Sequence, residues 1–67
     1  MGKRRRPPLT SECAMALVDW EEKHERAARA FAAHETEETR KQLRVAGYGV
    51  WHWHRELARA KKREARR

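Results

Sequence analysis

Apolar positions recur at alternating intervals of three and four residues over most of the chain. In the second half the recurrence runs from Thr36 to Ala60 and passes Gly47 and Gly49 without a shift in phase. It comprises Thr36, Thr39, Leu43, Ala46, Val50, Trp53, Leu57 and Ala60. This spacing keeps the residues on one face of an α-helix, as in the a and d positions of a heptad repeat. It predicts a second helix over about 37–66.

An apolar stripe of the same kind precedes it and comprises Cys13, Leu17, Trp20, His24, Ala27, Phe31 and His34. This stripe predicts a first helix over about 11–33. Thr10 and Thr36 are capping residue types, and each stands where one of the helices should begin. Only His34, Glu35 and Thr36 separate the two patterns. A connection this short brings the second helix back beside the first.

The two stripes stay in register when they are placed antiparallel. The facing pairs are then Phe31–Leu43, Ala27–Ala46, His24–Val50, Trp20–Trp53, Leu17–Leu57 and Cys13–Ala60. The sequence therefore predicts an all-α fold, an antiparallel two-helix hairpin that resembles a coiled coil. In this arrangement Gly47 lies beside the Ala27–Ala46 layer, and its lack of a side chain allows the two backbones to approach closely.

An alternative three-helix fold breaks the chain at residues 47–49. Helices over 36–46 and 50–66 then form a pair that resembles a helix-turn-helix motif. The match is weak, because Leu43 stands where a tight turn prefers a small residue and Glu56 stands where an apolar residue is expected. Each glycine costs a continuous helix about 1 kcal/mol relative to alanine.

A chain of 67 residues forms one domain, predicted over 10–67 after a flexible basic arm at 1–9. Chains of this length seldom build a sufficient core alone, so we expect dimerisation into a four-helix bundle or docking on a larger protein. The single cysteine excludes an intrachain disulfide, and no apolar run reaches the ~20 residues that cross a bilayer. The composition is typical of a bacterial or phage protein, located in the cytoplasm, at the nucleoid or in a virion.

The positive charge is concentrated at the two ends of the chain. Of the net charge of +7, residues 1–6 contribute four positive charges, and residues 59–67 contribute six against one glutamate. An antiparallel hairpin brings these ends together in a cationic tip. Its members are Lys3, Arg4, Arg5, Arg6, Arg59, Lys61, Lys62, Arg63, Arg66 and Arg67. Such a cluster is typical of salt-sensitive binding to nucleic-acid phosphates.

Arg44, Tyr48, Trp51 and Arg55 share a second face of the second helix, away from its apolar stripe. An exposed tyrosine and tryptophan bracketed by arginines are typical of interaction hot spots and of platforms on which bases stack. This face is predicted to bind a second copy of the chain, another protein, or nucleobases.

No pattern in the chain indicates catalysis, a cofactor or a small-molecule substrate. Glu21 and His24 have a spacing found in metal-binding helices, but the second helix lacks the matching motif, so we predict no metal site. His24 is instead expected to be a core histidine. The sequence thus predicts a nucleic-acid-associated accessory protein, not an enzyme. The alternative is a protein-binding regulator or assembly component, such as a phage inhibitor or virion part.

Overall fold

The computed structural model describes residues 7–66, which form two antiparallel helices, α1 (Thr10–Ala33) and α2 (Glu37–Ala65). These bounds lie within one residue of the predicted ones, and the antiparallel hairpin is confirmed. The four basic residues of the predicted arm, Lys3, Arg4, Arg5 and Arg6, and the terminal Arg67 lie outside the described residues.

Helix α2 is continuous through both glycines, so the three-helix alternative is wrong. Gly47 and Gly49 are helical, and neither has a positive φ angle. Apolar residues of the same stripe precede and follow the glycines and pack on α1. Their burial offsets the helix-propensity cost of about 2 kcal/mol for the two positions together.

The core lies between the two stripes and is built mainly from small residues. The buried positions are Cys13, Leu17 and Ala27 on α1 and Ala46, Gly49 and Ala60 on α2. The larger side chains of the stripes, among them Trp20, Phe31, Leu43 and Trp53, are half-buried. Each helix of a hairpin is covered by only one other helix, so the large side chains between the two helices keep one edge exposed to water.

The prediction that His24 is a core histidine is wrong, because this residue is exposed. Its imidazole ring lies at the edge of the interface, where a β-carbon placed on Gly47 would be 3.8 Å from His24 Cδ2. The explanation predicted for Gly47 is also wrong. A β-carbon would fit there in ordinary van der Waals contact.

The close approach occurs at Gly49, where the Trp20 indole lies directly on the α2 backbone. A β-carbon on Gly49 would come within 2.6 Å of Trp20 Cζ3 and closer still to Cε3 and Cδ2. Real β-carbons do not tolerate such distances. Lys23 Nζ covers the same indole at 4.5 Å from the ring centroid. Trp20 is therefore held between a glycine of α2 and a lysine of its own helix.

Two threonines close the connection between the helices. The Thr36 hydroxyl accepts a hydrogen bond from Thr39 N at 3.2 Å, and Thr36 N donates to Thr39 Oγ1 at 3.0 Å. Thr39 Oγ1 also donates to the His34 carbonyl at 2.6 Å. The predicted cap at Thr36 is thus confirmed, with Thr39 completing a reciprocal capping box.

At the opposite end of the hairpin, the last turns of α2 hold the start of α1. Glu64 Oε2 accepts hydrogen bonds from Thr10 N at 2.8 Å and from Thr10 Oγ1 at 2.6 Å. Arg63 donates to the Pro8 carbonyl at 3.0 Å. Thr10 is therefore the first residue of α1 and not its cap as predicted. Glu64 of α2 adds a second carboxylate at the positive end of this helix, where Glu12 of its own first turn accepts a hydrogen bond from Leu9 N at 2.9 Å.

Replacing Glu64 with alanine is expected to lower the free energy of unfolding by about 1–2 kcal/mol, the usual cost of losing a helix cap. The two Thr10 donors lose their acceptor, and the N-terminus of α1 loses an adjacent negative charge. Urea denaturation measures this change. Glu22→Ala, an exposed carboxylate on α1, is the matched control. Equal effects of the two substitutions would contradict a clamp at Thr10.

Candidate functional site

Three of the four residues predicted as a partner-binding face form one stack on α2. The rings of Tyr48 and Trp51 have centroids 5.6 Å apart and are tilted by 45°. Arg55 places its guanidinium carbon 4.9 Å from the centroid of the Trp51 ring. Tyr48 remains 66% exposed and Trp51 50% exposed. The stack is thus ordered by its own contacts while its surface stays open to solvent.

The fourth predicted residue, Arg44, is exposed one turn before Tyr48. It lines a shallow depression together with residues of the first turns of α2, namely Glu37, Glu38, Arg40 and Lys41. Arg44 therefore lies on the same face as the stack, and its side chain is directed toward the charged start of the helix.

Because α2 is unbroken, this face continues into the cationic tip. Further steps of four, three and four residues from Arg55 lead to Arg59, Lys62 and Arg66, all exposed. We call this face of α2 the outer stripe. It comprises Arg44, Tyr48, Trp51, Arg55, Arg59, Lys62 and Arg66. The four residues of the predicted partner-binding face and three described residues of the cationic tip thus lie on one face of α2.

The carboxylates of this part of α2 are turned toward α1. Glu64 binds Thr10, as described above. Glu56 has a side chain that is only 22% exposed, and it forms an ion pair with Arg59 at 3.5 Å. Its negative charge acts on the buried Cys13 thiol of α1. From Arg44 to Arg66, the outward surface of the stripe therefore carries cations and aromatic rings, with Glu56 at its margin.

The described members of the cationic tip differ in what they contact. Arg63 donates to Pro8 and Arg59 pairs with Glu56, so both have intramolecular partners. Lys61, Lys62 and Arg66 are exposed and form no ion pair within residues 7–66. The sequence identifies all five residues by charge alone. The contacts show that Arg63 holds the start of α1, whereas Arg59 pairs only within its own helix and its side chain remains 59% exposed.

Apart from Leu9 and Val45, the exposed large apolar residues divide between opposite sides of the hairpin. Met15 and Val18 are 71% and 53% exposed and lie on the face of α1 that is turned away from α2. Tyr48 and Trp51 lie on the face of α2 that is turned away from α1. A flat interface covers one of these faces at most, so the four residues do not form a single docking surface.

The histidines and nearby acids do not assemble into a metal site within the described residues. His54 Nε2 of α2 lies 3.9 Å from Glu21 Oε2 of α1. Both side chains are more than half exposed. No group of three or more histidine, cysteine, aspartate or glutamate side chains comes together in residues 7–66.

The only cysteine, Cys13, is inaccessible in the folded hairpin. Its side chain is fully buried between the helices. Burial raises the pKa of the Cys13 thiol, and the negative charge of Glu56 raises it further, against a smaller opposing effect of Arg63. The thiol is therefore a core group, and its position near the start of α1 does not activate it.

Cys13 is expected to make the stability of the hairpin fall at alkaline pH. Its pKa is higher in the folded state than the value of about 8.5 in an unfolded chain. The neutral buried thiol therefore contributes fully to the free energy of unfolding below that value, and this contribution is lost as the pH rises through the folded-state pKa. Urea denaturation at neutral and alkaline pH, with Cys13→Ala as the comparison, isolates this contribution. An identical pH dependence of the two proteins would contradict it.

Within residues 7–66, neither helix has the length and apolar content that crossing a membrane requires. Comparisons of the chain with protein families, with curated proteins and with solved structures found no match.

Proposed function

We propose that this protein binds nucleic acid through its phosphates, without sequence preference, as a small accessory protein. The observation that carries the proposal is the group of three exposed cations, Lys61, Lys62 and Arg66, at the end of α2. They have no carboxylate partner within the described residues. Neutralising phosphates with such side chains releases condensed counterions, which favours binding at low salt.

Two contacts support the geometry of the cationic tip. Arg63 binds the Pro8 carbonyl and Glu64 binds Thr10, so the chain enters α1 beside the last turns of α2. The basic segment Lys3–Arg6 is covalently attached at this same end. Glu64, the only acid among residues 59–67, is occupied by Thr10 and is directed away from the outer stripe.

A salt titration tests the proposal. Fluorescence anisotropy with a labelled random-sequence duplex, measured from about 50 to about 200 mM salt, should show affinity that falls steeply as salt rises. The variant with Lys61→Gln, Lys62→Gln and Arg66→Gln should bind more weakly. The slope of log affinity against log salt should decrease by about one for each phosphate that is no longer neutralised.

The matched control removes three positive charges from α1, through Lys23→Gln, Arg26→Gln and Arg29→Gln. All three side chains lie outside the cationic tip and the outer stripe, and the Arg29–Glu25 pair is a surface pair that contributes little to stability. This variant should keep most of the salt slope. If the full-length protein does not bind duplex or single strands at low salt, or if both variants weaken binding equally, the proposal fails.

The alternative function, a protein-binding regulator or assembly component, stays a prediction. The exposed Tyr48–Trp51 pair favours it, since such rings often anchor protein interfaces. Because arginines flank the rings on both sides, the partner would need an acidic surface. A homodimer through this face would place like charges opposite each other, as a two-fold interface uses the same surface on both copies.

A further inference from the structure

We propose that the Tyr48–Trp51 pair stacks unpaired nucleobases, so that the ligand of the outer stripe is single-stranded nucleic acid. This inference rests on the proposed function and specifies its ligand class. The cations of the stripe then contact the phosphates of the same strand whose bases lie on the rings. In a duplex the bases are already stacked on one another, so a duplex would contact only the cations of the stripe and not its rings.

The geometry of the pair suits a stacking platform. Both rings are at least half exposed, and their mutual contact at 5.6 Å holds them on a rigid, continuous helix. Side chains ordered in this way lose little conformational freedom when a base packs on them. Arg55, already placed over the Trp51 ring, offers a planar guanidinium for the same purpose.

The charge along the helix determines which partner the rings fit. Arg44 lies one turn before the pair, and Arg55, Arg59, Lys62 and Arg66 follow at steps of three and four residues. At about 1.5 Å per residue, the stripe from Arg44 to Arg66 is about 33 Å long. A polyanion that runs along it meets positive charge before and after the rings. A positively charged groove that follows the backbone, combined with aromatic rings, is the usual arrangement for single-stranded nucleic acid.

The surroundings of the rings argue against a second copy of this chain on the same face. Tyrosine, tryptophan and arginine are common in protein interfaces, but the centre of such an interface is apolar. Of the other exposed apolar residues, Val45 of α2 lies one turn before Tyr48, whereas Met15 and Val18 of α1 lie on the opposite side of the hairpin and do not extend the platform. The immediate neighbours along the stripe are arginines. A second copy docked symmetrically would bring five cations against five.

Strands with and without bases test the inference on the full-length protein. Anisotropy is measured with a single-stranded oligonucleotide of mixed sequence and with an abasic strand of equal length and charge. The wild type should bind the strand with bases about tenfold or more tightly than the abasic strand, because each stacked base contributes substantially to affinity. Trp51→Ala should lose this preference. Trp51→Phe should retain most of it.

Trp51→Ala should also leave the salt slope and the affinity for duplex unchanged, because it removes no cation. Met15→Ala is the control, because Met15 is an apolar side chain on α1 that is even more exposed than Trp51, and it should change the binding of neither strand. Circular dichroism of each variant verifies that the helices are intact.

The outcomes separate the two proposals. Absence of binding to either strand at low salt overturns the proposed function and this inference with it. Equal, salt-dependent binding of both strands, unaffected by Trp51→Ala, overturns the stacking inference and leaves phosphate binding standing. If Trp51→Ala changes the oligomeric state in light scattering but not the preference for bases, the face is an interface between protein chains and the inference is overturned.

Discussion

Alanine at position 49 is expected to lower the free energy of unfolding by about 1–3 kcal/mol, whereas alanine at position 47 should raise it by up to about 1 kcal/mol. Both glycines are helical positions of α2, two residues apart, so helix propensity alone predicts the same gain at each. The structure predicts opposite signs because Trp20 lies on one of them and not on the other.

The physical reason is the rigidity of the indole. A β-carbon on Gly49 would overlap three carbon atoms of the Trp20 ring, and a planar ring cannot bend away from it. Trp20 must then rotate toward water, which exposes apolar surface and opens the contact between the helices. At Gly47 the nearest atom is His24 Cδ2 at 3.8 Å, which leaves room for a methyl group.

Thermal and urea unfolding of the two single variants measure these effects. A second pair of proteins strengthens the test. In a Trp20→Ala background, Gly49→Ala should no longer be destabilising and should gain the helix-propensity term. If Gly49→Ala and Gly47→Ala shift the unfolding midpoint in the same direction, the described packing of Trp20 does not control stability.

Replacing Leu17 with alanine is expected to cost about 2–5 kcal/mol and to unfold most of the protein at room temperature. Leu17 is only 7% exposed and is the largest apolar side chain among the buried core residues. A domain of this size rarely has more than about 3–5 kcal/mol of total stability. The loss of one such side chain therefore removes most of it.

The adjacent residue provides the control for this prediction. Val18→Ala removes two methyl groups from a side chain that is 53% exposed on the outer face of α1, and it should change stability by less than about 0.5 kcal/mol. Circular dichroism at 222 nm measures both variants. Similar unfolding curves for Leu17→Ala and Val18→Ala would show that the core does not lie where the structure places it.

Periodicity is sufficient to predict the hairpin, because the spacing of apolar residues is a local property that a 3.6-residue helix converts directly into a buried face. The continuity of α2 through its glycines follows from the same spacing. The cap at Thr36 can be anticipated from its residue type alone, whereas the capping box that Thr39 completes becomes visible only with its hydrogen bonds to Thr36 and His34.

Spacing does not distinguish the centre of a face from its edge, and this explains the errors. His24 belongs to the apolar stripe by position but lies at the margin of the interface. Spacing does not show that the two helices approach most closely at Gly49. The predicted facing pairs place Trp20 opposite Trp53, but the long indole of Trp20 extends beyond this layer and covers Gly49, which belongs to none of the pairs. Side-chain length and direction decide such contacts, and neither is encoded in the interval between residues.

For the candidate site, the sequence identifies the rings and the charges but not their alignment. The steps of three and four residues that link Arg44 to Arg55 continue to Arg66, and this signal is present without coordinates. This regular spacing is concealed when the terminal charges are treated as one cluster because they are close in the sequence. The roles of Arg63 and Glu64 at the start of α1 require three-dimensional distances.

The short connection at residues 34–36 offers a convenient place for a spectroscopic label. It is separated from the cationic tip by the whole of α1, which has 24 residues and is about 36 Å long. Glu35 is exposed there, and Cys13 is the chain's only native thiol. A fluorophore attached through Glu35→Cys in a Cys13→Ala background would therefore report on the hairpin from a distance, whereas a tag fused to either terminus would be attached beside the tip.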